Sequence, residues 1–146
     1  MSEKESSLPE DWFEKGDEDK KAVEILLKHG GSVSVSSYLI QQMLEKYIKG
    51  FLPSKNWRLK RTHDLEELLD KMVEYDLSFE EFRELSQEAT AFYFFERYPF
   101  FGSELSREEV ERIYNKSLEL IWKIEEDKFD SAEPRFASAG AGPGQD

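Results

Sequence analysis

The sequence predicts an all-α fold, an up-and-down bundle of four to five helices. Three observations carry this. Apolar residues recur at i, i+3, i+4 and i+7 along most of the chain, and no segment alternates as a strand would. Two Ser-x-x-Glu capping boxes, at Ser78–Glu81 and Ser106–Glu109, each come with a matching hydrophobic staple. Gly30-Gly31, Pro53 and Pro99 punctuate the periodic segments.

Taken in order, the first helix is expected from Pro9 to Lys28, capped by Ser7 with Glu10 closing a capping box and ended by Gly30-Gly31. Its stripe is read as Trp12, Val23 and Leu26, with Ala22 and Leu27 beside it and Asp19 as a charged anomaly. The second helix is expected from Ser34 to Leu52, stopped by Pro53. Two adjacent apolar rows, Leu39–Met43–Tyr47–Phe51 and Ile40–Leu44–Ile48–Leu52, suit a central helix, and Gln42, Glu45, Lys46 and Lys49 are read as the opposite, polar ridge. After a basic loop over residues 53–63, the third helix starts at Asp64, with Leu65, Leu68, Leu69 and Met72 facing inward. The fourth is expected to open at Ser78 under a Leu77–Phe82 staple and to end at Pro99. The fifth opens at Ser106 and turns Val110, Ile113, Tyr114, Leu120, Ile121 and Ile124 inward. Residues 1–8 are read as a flexible N-terminus, 9–129 as the bundle, and 130–146, rich in Ala, Gly, Ser and Pro, as a disordered tail.

Composition excludes several classes of function. The chain of 146 residues has no cysteine, so disulfides, thiol catalysis and cysteine-based zinc sites are ruled out. No signal-like or bilayer-spanning stretch is seen, and a cytoplasmic protein with no membrane association is expected. A net charge of −12 argues against nucleic-acid binding over the whole surface. The charge is uneven, however: residues 46–61 hold Lys46, Lys49, Lys55, Arg58, Lys60 and Arg61 with no acid. Neither a phosphate-binding glycine loop nor a metal-ligand spacing occurs, so no cofactor and no metal are expected.

Chemistry can reside in four places. Gln42, Glu45, Lys46 and Lys49 could bind a nucleotide's phosphate and base edge, or could form a solvated face carrying a Glu45–Lys49 pair. In Thr62-His63-Asp64, His63 has the proton chemistry of a neutral-pH acid–base group and lies at a helix start, where anions are favoured; equally, Thr62 and Asp64 cap and His63 packs. Arg97 could grip a phosphate or pair with Asp19, since an acid on a core stripe needs a partner. Lys55, Arg58, Lys60 and Arg61 around Trp57 could stack a base and hold its phosphate, or form an ordinary surface loop.

The order Trp12, Asp19, Gln41-Gln42-Met43-Leu44-Glu45-Lys46-Tyr47-Ile48-Lys49, Thr62-His63-Asp64-Leu65 and Arg97-Tyr98-Pro99 resembles the HEPN family over roughly residues 10–127. The resemblance implies a helical-bundle homodimer that handles a nucleotide or RNA. The stand-alone prokaryotic members are often paired with a small nucleotidyltransferase, as two halves of a toxin–antitoxin-like system. Many relatives are metal-independent ribonucleases with an Arg followed after four to six residues by His. Arg97 matches the Arg, but Tyr98-Pro99-Phe100-Phe101-Gly102-Ser103-Glu104 contains no His. The expectation is a binding module that uses Gln42, Glu45, Lys46, Lys49, His63 and Arg97. The alternatives are a non-catalytic interaction bundle and, third, an active ribonuclease in which Arg97 and His63 are the catalytic candidates.

Overall fold

The computed structural model describes residues 8–58, 61–97 and 105–132, with side chains described for 8–58, 61–94 and 105–127. Five α-helices follow in order: α1 (Pro9–Lys28), α2 (Val33–Ser54), α3 (Leu65–Tyr75), α4 (Arg83–Arg97) and α5 (Arg107–Ala132), with a 3-10 helix over Leu77–Phe82 leading into α4. No strand occurs among the described residues. The all-α bundle is the fold expected from the sequence.

The helix ends follow local chemistry. Pro9 occupies the first turn of α1, where its missing N–H is no loss, and Leu8 stands at the N-cap with no side-chain cap. The expected cap, Ser7, lies outside the described residues. At the other end Gly30 takes the left-handed conformation (φ 70°), and the Gly31 N–H closes back onto the Leu26 carbonyl at 2.6 Å. Helix α2 begins under Ser32, whose hydroxyl accepts from the Val35 N–H at 3.0 Å. It does not stop before Pro53 but runs through it to Ser54. Pro53 lies in the last turn, and the stop comes from Asn56 at φ 68°. The Trp57 N–H reaches the Leu52 carbonyl at 3.0 Å, and the Asn56 N–H reaches that of Pro53 at 2.9 Å. Trp57 thereby folds back against the core. Asp64 caps α3, accepting from the Glu66 and Glu67 N–H groups.

The start of α4 is a correction. Ser78 does not cap it. Asp76 accepts from both the Ser78 N–H (3.0 Å) and the Ser78 hydroxyl (2.8 Å), which pulls residues 77–82 into 3-10 geometry. Leu77, expected as half of a staple, is 74% exposed. The Ser78 hydroxyl is spent as a donor on Asp76, so the cap falls two residues upstream of the expected one. The Ser78 hydrogen bonds also hold the Asp76 carboxyl below its ordinary value. This capping contribution is therefore present at neutral pH and lost as pH falls through the lowered value. Asp76→Ala is expected to cost about 1 kcal/mol in urea denaturation at pH 7, while Ser78→Ala costs only a few tenths, roughly. Equal losses would restore Ser78 as the cap. At α5 the capping box is as expected: Ser106 N–H to Glu109 Oε1 at 3.2 Å, and Glu109 N–H to Ser106 Oγ at 3.1 Å. The helix continues through Ala132, past the expected boundary at Phe129.

Helix α2 is the axis of the bundle, packed by α1, α3, α4 and α5. Its two apolar rows are buried apart from the partly buried Leu39. Helix α1 presents a different stripe from the one expected: Phe13, Gly16 and Val23 are buried, whereas Trp12 and Leu26 are half-buried. The reason is a close crossing. A Cβ on Gly16 would fall 2.8 Å from the Tyr47 ring, and one on Gly50 would fall 2.9 Å from the Phe13 ring. Each glycine thus receives the other helix's aromatic ring, which rotates α1 away from its Trp12 face.

Two phenols complete the docking of α1. The Tyr47 hydroxyl donates to Asp17, and that of Tyr114 on α5 donates to Glu24 at 3.0 Å. Burial first, then the neighbouring carboxylate, pushes both phenols above their ordinary value. A folded value raised above the unfolded one contributes stability below about pH 10, and that stability is lost as pH rises further. In an absorbance titration, Tyr47 and Tyr114 are expected to ionise only as the helical signal collapses. Ionisation of all six tyrosines before any helix is lost would contradict this.

Candidate functional site

Gln41, Glu45 and Lys49 recur every fourth residue on α2. Sequence periodicity puts them on the solvent side, but the structure buries them to 0%, 5% and 1% exposure. The polar ridge is therefore an internal seam. A buried carboxylate and ammonium must be paired and hydrogen-bonded, and these are. Glu45 Oε2 accepts from Lys49 Nζ at 3.0 Å. Glu45 Oε1 accepts from Gln41 Nε2 at 2.9 Å and lies 3.0 Å from His63 Nδ1. Lys49 Nζ also stands over the Trp12 ring of α1, 5.5 Å from its centroid.

His63 is fixed by backbone as well as by ring. Its carbonyl accepts from Gln41 Nε2 at 3.0 Å, and Gln42 Nε2 in turn donates to Gln41 Oε1 at 2.7 Å. On one side of His63, Thr62 Oγ1 accepts from the Asp64 N–H; on the other, Thr90 Oγ1 of α4 accepts from the Leu65 N–H, both at 3.0 Å. One α4 turn beyond Thr90, the Tyr93 ring stacks on the imidazole (centroids 4.5 Å apart, planes 17° from parallel), and Tyr38 of α2 stacks on Tyr93. Yet the His63 side chain is 54% exposed. A carboxylate only accepts, so the ring carries its proton on Nδ1 toward Glu45, and Nε2 is the nitrogen left for a ligand.

The other expected site residues divide. Lys46 pairs with Asp19 at 2.7 Å, a contact that ties α1 to α2 and supplies the acid on α1 with a partner. Gln42 is half-buried beside the seam. Arg97 closes α4 one turn after Tyr93; its side chain, and with it the expected Asp19–Arg97 pair, lies outside the described residues. In the basic loop, Lys55 and Trp57 are engaged by the bundle. Lys55 is bound to Asp127 of α5 at 2.6 Å with its side chain 8% exposed. Burial pulls its ammonium down, but hydrogen bonds with Asp127 and Tyr75 outweigh this and hold it above its ordinary value. Trp57 packs on the core beneath Lys71. Arg58 and Arg61 are exposed, and Lys60 lies outside the described residues. Among the described residues no group of three His, Asp or Glu side chains could hold a metal ion, and no helix is long and apolar enough to cross a membrane.

Sequence reasoning missed Gln41 as the residue that holds both Glu45 and His63, and Tyr93 as the platform under the imidazole. The Gln-Gln doublet was a signal for the first. Nothing in the spacing announced the second, which depends on how α4 packs on the 61–64 segment.

Trp12, Asp19, the Gln41–Lys49 row and the Thr-His-Asp turn, scattered over more than fifty positions, thus meet in one seam between α1, α2 and the approach to α3. No curated protein and no solved structure matches the chain. The HEPN domain family matches residues 9–127, a span that takes in every one of those seam residues, and the chain belongs to that family.

Proposed function

We propose that this HEPN domain is a nucleotide- or RNA-binding module whose contact surface centres on His63. The supporting observation is the 3.0 Å contact from a buried Glu45 to a half-exposed imidazole. A buried carboxylate and an aromatic platform together hold one polar ring in one orientation at the surface, which is how a ligand-binding histidine is positioned. Phosphate or ribose would meet His63 Nε2, with Lys46, Gln42 and Arg97 as further contacts. Glu45 and Lys49 would act from beneath by holding His63. With no His after Arg97 within residues 98–104, binding without cleavage is the reading favoured.

A second reading is favoured by the burial of Glu45 and Lys49 and by the Lys46–Asp19 pair, which give three of the six candidates packing roles. Here the chain is an interaction bundle, a homodimer that pairs with a nucleotidyltransferase in a toxin–antitoxin-like system. A thermal-shift series with nucleotides and short RNAs decides between the two. The binding reading expects a shift that His63→Ala or Arg97→Ala abolishes without lowering the unliganded midpoint. No shift with any probe would pass the seam to the interaction reading. The third possibility, ribonuclease activity, expects cleavage that His63→Ala removes; an unmodified chain that leaves RNA intact ends it.

A further inference from the structure

Two clefts run along α5, share Glu81 and Glu119, and so form one groove that has no residue in common with the His63 seam. The first, about 610 Å³, lies between α5, α1 and the 3-10 helix. Its floor is Phe82 and Ile121, its wall the half-buried Leu118 and the exposed Trp122, and five glutamates outnumber Lys20 and Lys123 around it. Trp122 is 64% exposed. A large apolar ring left in water beside an apolar floor is the usual form of an unfilled anchor position. The second cleft, about 690 Å³, lies between α4 and α5. It is lined by six glutamates against Arg112 and Lys116, and both bases are already paired, Arg112 with Glu88 and Lys116 with Glu119, each at 3.1 Å.

We propose that this groove is the docking site for a cationic amphipathic helix of a partner protein. The shape fits: the lining residues of α5 run from Glu108 to Glu126, roughly 27 Å of helix face at the standard rise. A partner helix of about five turns would set one apolar side chain against Trp122 and its basic face along the glutamates. Charge selects the occupant. Acids line both walls, Glu84 on α4 and Glu108 and Glu111 on α5, and like charges gathered in one cleft are relieved by cations. A second copy of this chain meeting the groove with the same face would set acid against acid. RNA and anionic membrane surfaces carry the same sign and are turned away from this face.

The test is calorimetric titration of the full chain with an 18-residue leucine–lysine peptide patterned as an amphipathic helix. One-to-one binding that weakens with salt is expected. Trp122→Ala should weaken it about ten-fold or more, as loss of an anchor does, and so should Glu84→Gln with Glu111→Gln. Glu18→Gln with Glu74→Gln, which removes the same charge from exposed positions elsewhere, should change affinity less than about two-fold. Trp122 is mostly in water, so its loss leaves the core intact, and unchanged helical content verifies this for each variant. The proposal is overturned by absence of binding, by equal losses in the two charge-removal pairs, or by a Trp122→Ala chain that binds like the original.

Discussion

Glu45→Ala is expected to destabilise the fold by about 3–5 kcal/mol, the range for removing one partner of a buried ion pair. That is a large share of the roughly 5–15 kcal/mol that holds a domain of this kind together. The change strands the Lys49 ammonium at 1% exposure and takes the acceptor from Gln41 and His63 as well. Glu45→Gln keeps the volume and a carbonyl acceptor but not the charge, so its cost should fall between those of alanine and the unmodified chain. The informative variant is Glu45→Leu combined with Lys49→Met. Replacing both charges by apolar groups removes the desolvation cost together with the attraction, so the double variant should recover much of what either single variant loses. Urea denaturation reads all of these. A Glu45→Ala loss below about 1 kcal/mol, the level of an exposed pair, would mean that water reaches the seam.

Gly16→Ala carries the second large effect, and its sign is diagnostic. On an open helix face this change stabilises by about 1 kcal/mol. Here the new methyl falls 2.8 Å from two Tyr47 ring carbons, and that ring is anchored by its hydroxyl on Asp17. Over-packing of this kind costs about 1–3 kcal/mol. Gly50→Ala meets Phe13 in the same way and should cost a similar amount. Tyr47→Leu should relieve the Gly16→Ala clash, leaving the pair more stable than the sum of its parts. A stabilised Gly16→Ala chain would show that α1 and α2 lie farther apart than the described crossing.

The sequence was most legible where a signal is local. The bounds of α1, the Asp64 cap, the Ser106–Glu109 box and the inward face of α5 all follow from residues within one or two turns of one another. The start of α4 was misread because the Asp76 carboxylate caps two residues earlier and engages the Ser78 hydroxyl as a donor, and a spacing rule does not weigh one cap against the other. The stop at Pro53 was misread because a proline in a last turn breaks little. The polar ridge was misread for a deeper reason: periodicity sorts a helix into an apolar and a polar side and assumes that the polar side meets water. On a helix packed by four others most of that side is covered: Gln41, Glu45 and Lys49 are buried, while Gln42 and Lys46 keep partial access to water. A clue was available in Ser36, Ser37 and Gly50, small residues on α2 that are buried, the last of them beneath the Phe13 ring. The seam residues themselves could be named from sequence, whereas their burial and their grip on His63 depend on α1 and the 61–64 segment closing over them.

The burial of most of α2 also sets how the molecule breathes. Amide hydrogens in its central turns, from Ile40 to Leu52, have no edge from which to fray, so they should exchange with solvent only when the whole domain opens, at the global free energy. Helix α1, which docks chiefly on α2, can lift as a separate unit and exchange sooner. Such lifting would part Trp12 from Lys49 and Asp19 from Lys46 while leaving Glu45 on His63. A ligand that slows exchange in α1 as well as around His63 would therefore be gripping the closed seam as a whole.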